Sequence, residues 1–251
     1  MNVIFASYGN DSVALIQWAH EVKLKDVFVV YSGTGWASDD WPKRVKKARK
    51  WVRSLGFTPV TVTSEGMRNL VARKQWPRGG GGKFQFCTAE LKIKPALDWL
   101  EHNDPNGEAV CYVGVRREES AARANWPEYT EDSPNHGGRS LHAPLVRMLE
   151  AQRDDQIRKT PLPVLPHRSR ECYPCVNADQ PTLRSLPQAR IDEISTMEQT
   201  QGLNSKGNPI VMFSPARCKG AVGIESVVLW AKKATQEEIN QASCDGGWCG
   251  G

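Results

Sequence analysis

The residues most able to do chemistry begin with Ser7-Tyr8-Gly9-Asn10-Asp11-Ser12. Gly9 lets the backbone come close to a ligand, and Ser7 and Ser12 offer hydroxyls. A helix starting here would aim its first amides and its dipole at an anion. The chemistry suits a pyrophosphate, and Asp11 beside such an anion calls for an accompanying Mg²⁺. The same residues also spell an ordinary capped turn, because Asn10, Asp11 and Ser12 are all good N-caps. A second group lies in Gly114-Val115-Arg116-Arg117-Glu118-Glu119-Ser120-Ala121-Ala122-Arg123. Arg116 and Arg123 can each fork onto a phosphate or sulfate, which favours guanidinium over a lysine. Glu119, four residues before Arg123, can orient it, or the segment is a surface helix with ion pairs of its own.

The cysteines stand at 87, 111, 172, 175, 218, 244 and 249. Cys172 and Cys175 form a C-x-x-C knuckle with Pro174 between them, which aims two thiolates the same way. Cys244 and Cys249 form a second close pair in a glycine-rich tail. Two close pairs in a reducing compartment point to a 4Fe-4S cluster, with zinc as the alternative. The expected metal ligands are Cys172, Cys175, Cys244 and Cys249, with Cys87 and Cys218 as rivals for the second pair. Arg217 and Lys219 flank Cys218 and would favour its thiolate. Cys111, in a strand, reads as core.

These groups need elements to hold them. Asn2–Ala6 reads as a short apolar strand feeding the Ser7–Ser12 turn, and 13–22 has helical spacing. Asp26–Tyr31, with Val27, Phe28, Val29 and Val30, reads as a strand covered on both faces. Residues 39–55 form a helix with Trp41, Val45, Ala48, Val52 and Leu55 on one side, followed by Gly56 as a stop. Further strands are expected at 58–62 and 109–115, with a helix at 91–101 between them. Gly79–Gly82 must be mobile or wrap closely round something. Beyond Trp126, short helices are expected at 152–159, 190–199 and 223–234, with a strand at 210–213. The β-α-β-α-β order predicts an α/β fold: a doubly wound, mainly parallel sheet with helices on both faces, plus a C-terminal cysteine-containing elaboration. Residues 1–125 read as the nucleotide-binding core and 126–251 as the elaboration. Ligands of such sheets bind at the carboxyl ends of the strands.

Composition excludes several classes. At 39% apolar and 24% charged, the chain is not a disordered one. No apolar run approaches the roughly 20 residues of a bilayer span, and the first residues lack a signal peptide's basic and apolar regions. A cytoplasmic location with no membrane partner is expected. The net charge is +5. Part of it is concentrated in Lys43, Arg44, Lys46, Lys47, Arg49, Lys50 and Arg53, a solvated helix face or a nucleic-acid patch.

Four segments, in order, carry a resemblance. S-x-G-x-D-S after the first strand resembles the PP-loop of the adenine-nucleotide alpha-hydrolase superfamily, which holds ATP pyrophosphatases and phosphoadenosine-phosphosulfate (PAPS) reductases. Cys87-Thr88-Ala89-Glu90-Leu91-Lys92-Ile93-Lys94-Pro95 resembles the reductase branch's C-T-x-x-L-K-x-x-P, Gly114–Arg123 its G-x-R-x-x-E-S-x-x-R, and Cys172–Cys175 its later C-x-x-C. The resemblance implies an adenine-nucleotide site of Ser7, Gly9, Asn10, Asp11, Ser12, Lys92, Arg116, Glu119, Ser120 and Arg123. Asp11 would hold Mg²⁺, and Cys87 would stand near the nucleotide as a sulfur carrier or redox group. Two departures matter. Adenylylsulfate reductases that carry a cluster have a Cys-Cys pair where this chain has Phe86-Cys87. The E-C-G-I/L-H segment of cluster-free PAPS reductases is absent, with Trp248-Cys249-Gly250-Gly251 only a faint echo. Retention of Asp11 favours ATP over PAPS. The leading expectation is an ATP pyrophosphatase that activates an acceptor for sulfur transfer, assisted by the cluster and served by a sulfur donor protein. The others are a PAPS or adenylylsulfate reductase, and a non-catalytic nucleotide-binding protein with structural zinc.

Overall fold

The structure, a computed structural model, describes residues 1–80 and 84–233. Among them β1 (Asn2–Phe5), β2 (Val27–Gly33), β3 (Thr58–Thr63), β4 (Val110–Tyr112), β5 (Tyr129–Ser133) and β6 (Arg139–His142) form one sheet. Its order is β3-β2-β1-β4-β6-β5. Only β5 runs antiparallel, on β6; the other pairings are parallel. Val3 stands opposite Phe28 on one side and Cys111 on the other.

The period-2 alternation of the strands feeds two apolar layers, one on each face. Ile4, Val29 and Tyr31 face Leu15 and Ile16 of α1 (Asn10–Glu21), Trp51 and Val52 of α2 (Trp41–Ser54), and Ile157 of α6 (Glu150–Arg158). Val3, Val30, Val62 and Cys111 pack with Leu100 of α5 (Lys94–Asn103) on the opposite face. This is a doubly wound α/β fold. Cys111 is fully buried and its thiol is pushed up to about 12 by burial, as a core cysteine should be.

The strand pair β5–β6 is not among the strands expected from the sequence. Gly137 and Gly138, both at positive φ, turn the chain between the two strands. Arg139 then fixes the register from below: its Nε lies 2.5 Å from Asp104 Oδ2 and its Nη2 donates to Asp104 O at 2.6 Å, with both residues buried. Burial pushes the Asp104 carboxyl up, but the Arg139 guanidinium and the amides of Ala109 and Glu108 outweigh it and hold it below the usual range. The strand expected at 210–213 is absent. Those residues find no sheet partner, and the Met212 amide donates to the Glu198 carboxylate instead, at 2.9 Å. Periodicity gave no warning of α3 (Gly66–Lys74).

The chain divides into two compact units, Met1–Gly66 with Thr88–Tyr173, and Met67–Cys87 with the chain from Pro174 onward. The boundary expected at residue 125 falls inside the first unit. The second contains α4 residues Phe86 and Cys87 (α4 is Phe86–Thr88), α7 (Gln180–Arg184), α8 (Gln188–Gln201) and α9 (Ile224–Lys233). Glu198 organises it by accepting from the Ile224 amide at 2.8 Å, the start of α9. No helix of the described residues is long and apolar enough to cross a membrane.

Candidate nucleotide site

In the sheet order, β1 is flanked by β2 on one side and β4 on the other. Chain connections diverge at this point, and open α/β sheets bind ligands in the crevice such a switch leaves. Two candidate segments emerge there: Ser7–Ser12 after β1 and Gly114–Arg123 after β4.

The first loop is tightly wound. Tyr8 takes φ 60°, a left-handed conformation uncommon for a bulky residue, and its ring is fully buried in a stack on Tyr31. The Gly9 amide donates to Ser7 Oγ at 3.2 Å, and Ser12 Oγ donates back to the Gly9 carbonyl at 3.1 Å. No side chain caps α1. Its first-turn amides, at Asn10, Asp11 and Ser12, are therefore the ones an anion can take. Gly9 itself has φ −73°, open to any residue, so its lack of a side chain matters for space. A Cβ there would lie 2.9 Å from the Ser169 Cβ. Gly114 is similar: a Cβ would meet the Asp11 carbonyl carbon and oxygen at 2.9 Å. The end of β4 thus presses on the backbone of the Ser7–Ser12 loop.

Arg116, 4% exposed, reaches that loop. Its Nε donates to Asp11 Oδ1 at 2.6 Å and its Nη1 to Glu118 Oε2 at 2.9 Å. Arg153 of α6, also buried, brings Nη1 to 3.8 Å from the same Asp11 oxygen. The Arg153 guanidinium is held above its ordinary value: burial opposes the charge, and Asp154, Asp11 and Glu150 more than restore it. Asp11 therefore faces two guanidinium groups. Glu119 pairs with Arg123 through the i,i+4 contact, though on short 3₁₀ turns (Arg117–Glu119 and Ala121–Arg123) in place of a continuous helix. Arg123 Nε and Ser120 Oγ are buried without a hydrogen-bond partner among the described residues, as if an acceptor belonged beside them.

Lys92 sits on a π turn (Ala89–Ile93) and pairs with Glu171. Asn10 spends its amide on Leu165, donating to the carbonyl and accepting from the amide, both at 2.9 Å. The first unit thus brings together Ser7, Gly9, Asn10, Asp11, Ser12 and Arg116, with Lys92 tied to the strap at 163–171 that crosses the loop. Cys87 belongs to the second unit.

The C-x-x-C straddles the two units, Cys172 in the first and Cys175 in the second. Within the second unit, the Asn177 amide donates to Cys175 Sγ at 3.5 Å. The segment after Cys175 is gripped by Arg217, whose Nη1 and Nη2 donate to Val176 O and Ala178 O, each at 2.9 Å. The Gly80 amide and Gln85 also bind the Asn177 side chain, at 2.9 Å each. A Cβ on Gly79 would lie 2.6 Å from Val176 O, so the described part of the glycine run wraps closely. Cys218 departs from expectation: burial raises its thiol and outweighs Arg217. No group of three or more His, Cys, Asp or Glu among the described residues is placed to hold a metal. Cys244 and Cys249 lie outside the described residues. The described thiols alone do not make up a cluster site.

The profile of the phosphoadenosine phosphosulfate reductase domain matches residues 1–174. The chain belongs to that family. The match takes in Ser7–Ser12, Lys92, the Arg116–Arg123 segment and Cys172, and ends one residue before Cys175. A relative in Escherichia phage 186, an uncharacterized 37.8 kDa protein in the gpa 5′ region, is 28% identical over 131 residues, 48% of this chain and 38% of that protein. This reductase-family chain therefore spans well under half of that relative's length. Among solved structures, a phosphoadenylyl-sulfate reductase from Candida auris in a phosphate complex is similar, with TM-score 0.45, 14% identity, and coverage of 63% of this chain and 71% of that one. The U34-tRNA thiolase NcsA of Methanococcus maripaludis, with its 4Fe-4S cluster, gives TM-score 0.48 and 13% identity over 100% of this chain and 76% of that one.

Sequence reasoning missed Arg44, Arg153 and Ser169. Arg44 belongs to the basic run of α2, yet it stands four residues before Ala48 and seven before Trp51, on the buried side of the helix. Arg153 shows the same signal weakly, four residues before buried Ile157. Nothing in the sequence marks Ser169.

Proposed function

We propose that this chain is an adenine-nucleotide-dependent enzyme of sulfur chemistry that binds its nucleotide phosphates on Ser7–Ser12. The supporting observation is the uncapped start of α1 at the β1/β4 switch point, with Gly114 packed against its backbone and Arg116 buried beside it. In the ATP pyrophosphatase reading, an acceptor oxygen attacks the α-phosphorus, the bond to the β-phosphate oxygen breaks, and pyrophosphate leaves. Sulfur then displaces AMP from the adenylated acceptor. Asp11 would bring Mg²⁺, Arg116 and Arg123 would neutralise the anion, and Glu119 and Ser120 would place Arg123. Cys87 would carry the sulfur as a persulfide received from a donor protein's persulfide; its outer sulfur would displace AMP, and a thiol reductant would then cleave the resulting acceptor–Cys87 disulfide. One observation favours a second reading, a PAPS or adenylylsulfate reductase: the Asp11 oxygen that a Mg²⁺ would want is already bonded to Arg116.

The proposed acceptor is a nucleic acid. Lys43, Lys46, Lys47, Lys50 and Arg53 fall at i, i+3, i+4, i+7 and i+10, one outer stripe of α2, all exposed and without an ion pair among the described residues. Incubation of the purified chain with ATP and Mg²⁺ is expected to give AMP and pyrophosphate, faster with tRNA or DNA at low salt. Charge reversal at Lys43, Lys47 and Lys50 should remove the stimulation and leave the basal rate. Turnover of PAPS to sulfite with a thiol reductant, and none of ATP, would install the second reading.

A 4Fe-4S cluster on Cys172, Cys175, Cys244 and Cys249 would serve sulfur activation, with Zn as the alternative metal. Removal of residues 243–251 is expected to abolish iron incorporation, measured by iron content and visible absorbance, and Cys87→Ser to spare it. The reverse pair of results would move the ligands to Cys87, Cys172, Cys175 and Cys218.

A further inference from the structure

Residues 163–171 form a strap across the phosphate loop, tied down on both sides of Ser169. On one side, Arg44 bridges strap and loop: its Nη1 donates to Pro163 O at 3.2 Å and its Nε to Tyr8 O at 2.7 Å. Leu165 holds the Asn10 amide in both directions. On the other side, the Ser38 amide donates to Arg170 O at 3.0 Å, the Thr34 hydroxyl to Glu171 O at 2.5 Å, and the Glu171 carboxylate pairs with Lys92.

Ser169 is what these ties press onto Gly9. Its Oγ is buried and without a hydrogen-bond partner among the described residues. Arg44 Nη2 is in the same condition. Buried donors left unmade are disfavoured and uncommon. Here two of them belong to side chains that touch a single loop, and that loop offers uncapped helix amides to an anion.

We propose that Ser169 is a ligand-binding residue of the phosphate site. Its hydroxyl donates to an oxygen of the nucleotide's phosphate chain, and Arg44 Nη2 supplies a second donor. The inference rests on the reading of Ser7–Ser12 as the nucleotide site. Because Ser169 Oγ has no access to solvent, the strap must lift from Gly9 as the anion enters, and the Glu171–Lys92 pair, whose lysine is 38% exposed, is the tie best able to open. The strap then closes as the second wall of the site.

Ser169→Ala tests this, because it removes only the hydroxyl. Titration calorimetry with ATP and with PAPS, alongside thermal unfolding of the ligand-free chain, gives the two readouts. The expected result is a ligand-free Tm equal to or above wild type, since an unsatisfied buried hydroxyl is gone, with nucleotide affinity lowered about tenfold or more. Wild-type affinity in the variant overturns the proposal and leaves the loop reading standing. A lower ligand-free Tm together with weaker binding makes the hydroxyl a structural one and overturns it too. Wild-type protein that binds neither nucleotide removes the loop reading itself, and the Ser169 assignment with it.

Discussion

Gly9→Val is expected to abolish measurable nucleotide binding while the sheet stays folded. The added side chain runs directly into Ser169 Cβ and Ser7 Oγ, which a Cβ alone would approach to 2.9 and 3.2 Å. Overpacking of this kind costs about 1–3 kcal/mol. Here it falls on the contact between loop and strap, so the strap is forced off and the amides of α1 lose their geometry. Loss of one hydrogen bond to a charged phosphate costs about 1.5–3 kcal/mol more. Together these predict a fall in affinity of more than about 100-fold by calorimetry. Gly9→Ala paired with Ser169→Gly isolates the cause: the second change removes the colliding carbon, so it should recover part of the affinity that Gly9→Ala loses. Unchanged binding of ATP and PAPS by Gly9→Val would end the assignment of this loop.

The largest loss of stability is expected from Arg139→Met. It strips the partner from Asp104, whose side chain is 9% exposed against 4% for Arg139. Removing one member of a buried pair typically costs about 3–5 kcal/mol because the other charge is left unpaired. The urea midpoint should drop accordingly, with the slope unchanged. Asp104→Asn combined with Arg139→Met should be milder than Arg139→Met alone. The pH dependence follows from the lowered Asp104 carboxyl. Its stabilisation is complete above the unfolded value of about 3.9 and is lost as pH falls through the lower folded value. Wild type should therefore lose its advantage over Arg139→Met on acidification below about pH 4. A constant gap between the two from pH 7 to pH 2 would mean that the carboxylate does not carry the effect.

The local pattern of apolar residues determined the parallel core. Asn2–Ala6, Asp26–Tyr31 and Thr58–Val62 each carry a short apolar run of strand length, and α1, α2 and α5 carry their buried faces at helical spacing. Such periods are properties of the chain itself and need no partner to be read. The placement of Ser7–Ser12 and of the arginine segment after β4 at one sheet edge was legible for the same reason, since position after a strand in an α/β chain implies the carboxyl edge. The β5–β6 hairpin was not legible: Tyr129–Ser133 is mostly exposed and polar, and it pairs because β6 finds the free edge of β4. The partners of the site side chains were equally hidden. That Asp11 lies between Arg116 and Arg153, that Asn10 is spent on Leu165 and Lys92 on Glu171, and that Gly9 is small to admit Ser169 all depend on residues tens to more than a hundred positions apart. Spacing along the chain fixes which residues share an edge or a face. Which charge meets which, and which polar atom is left without a partner, is decided only when distant segments pack, because hydrogen bonds and ion pairs act over a few ångströms of space regardless of separation in sequence.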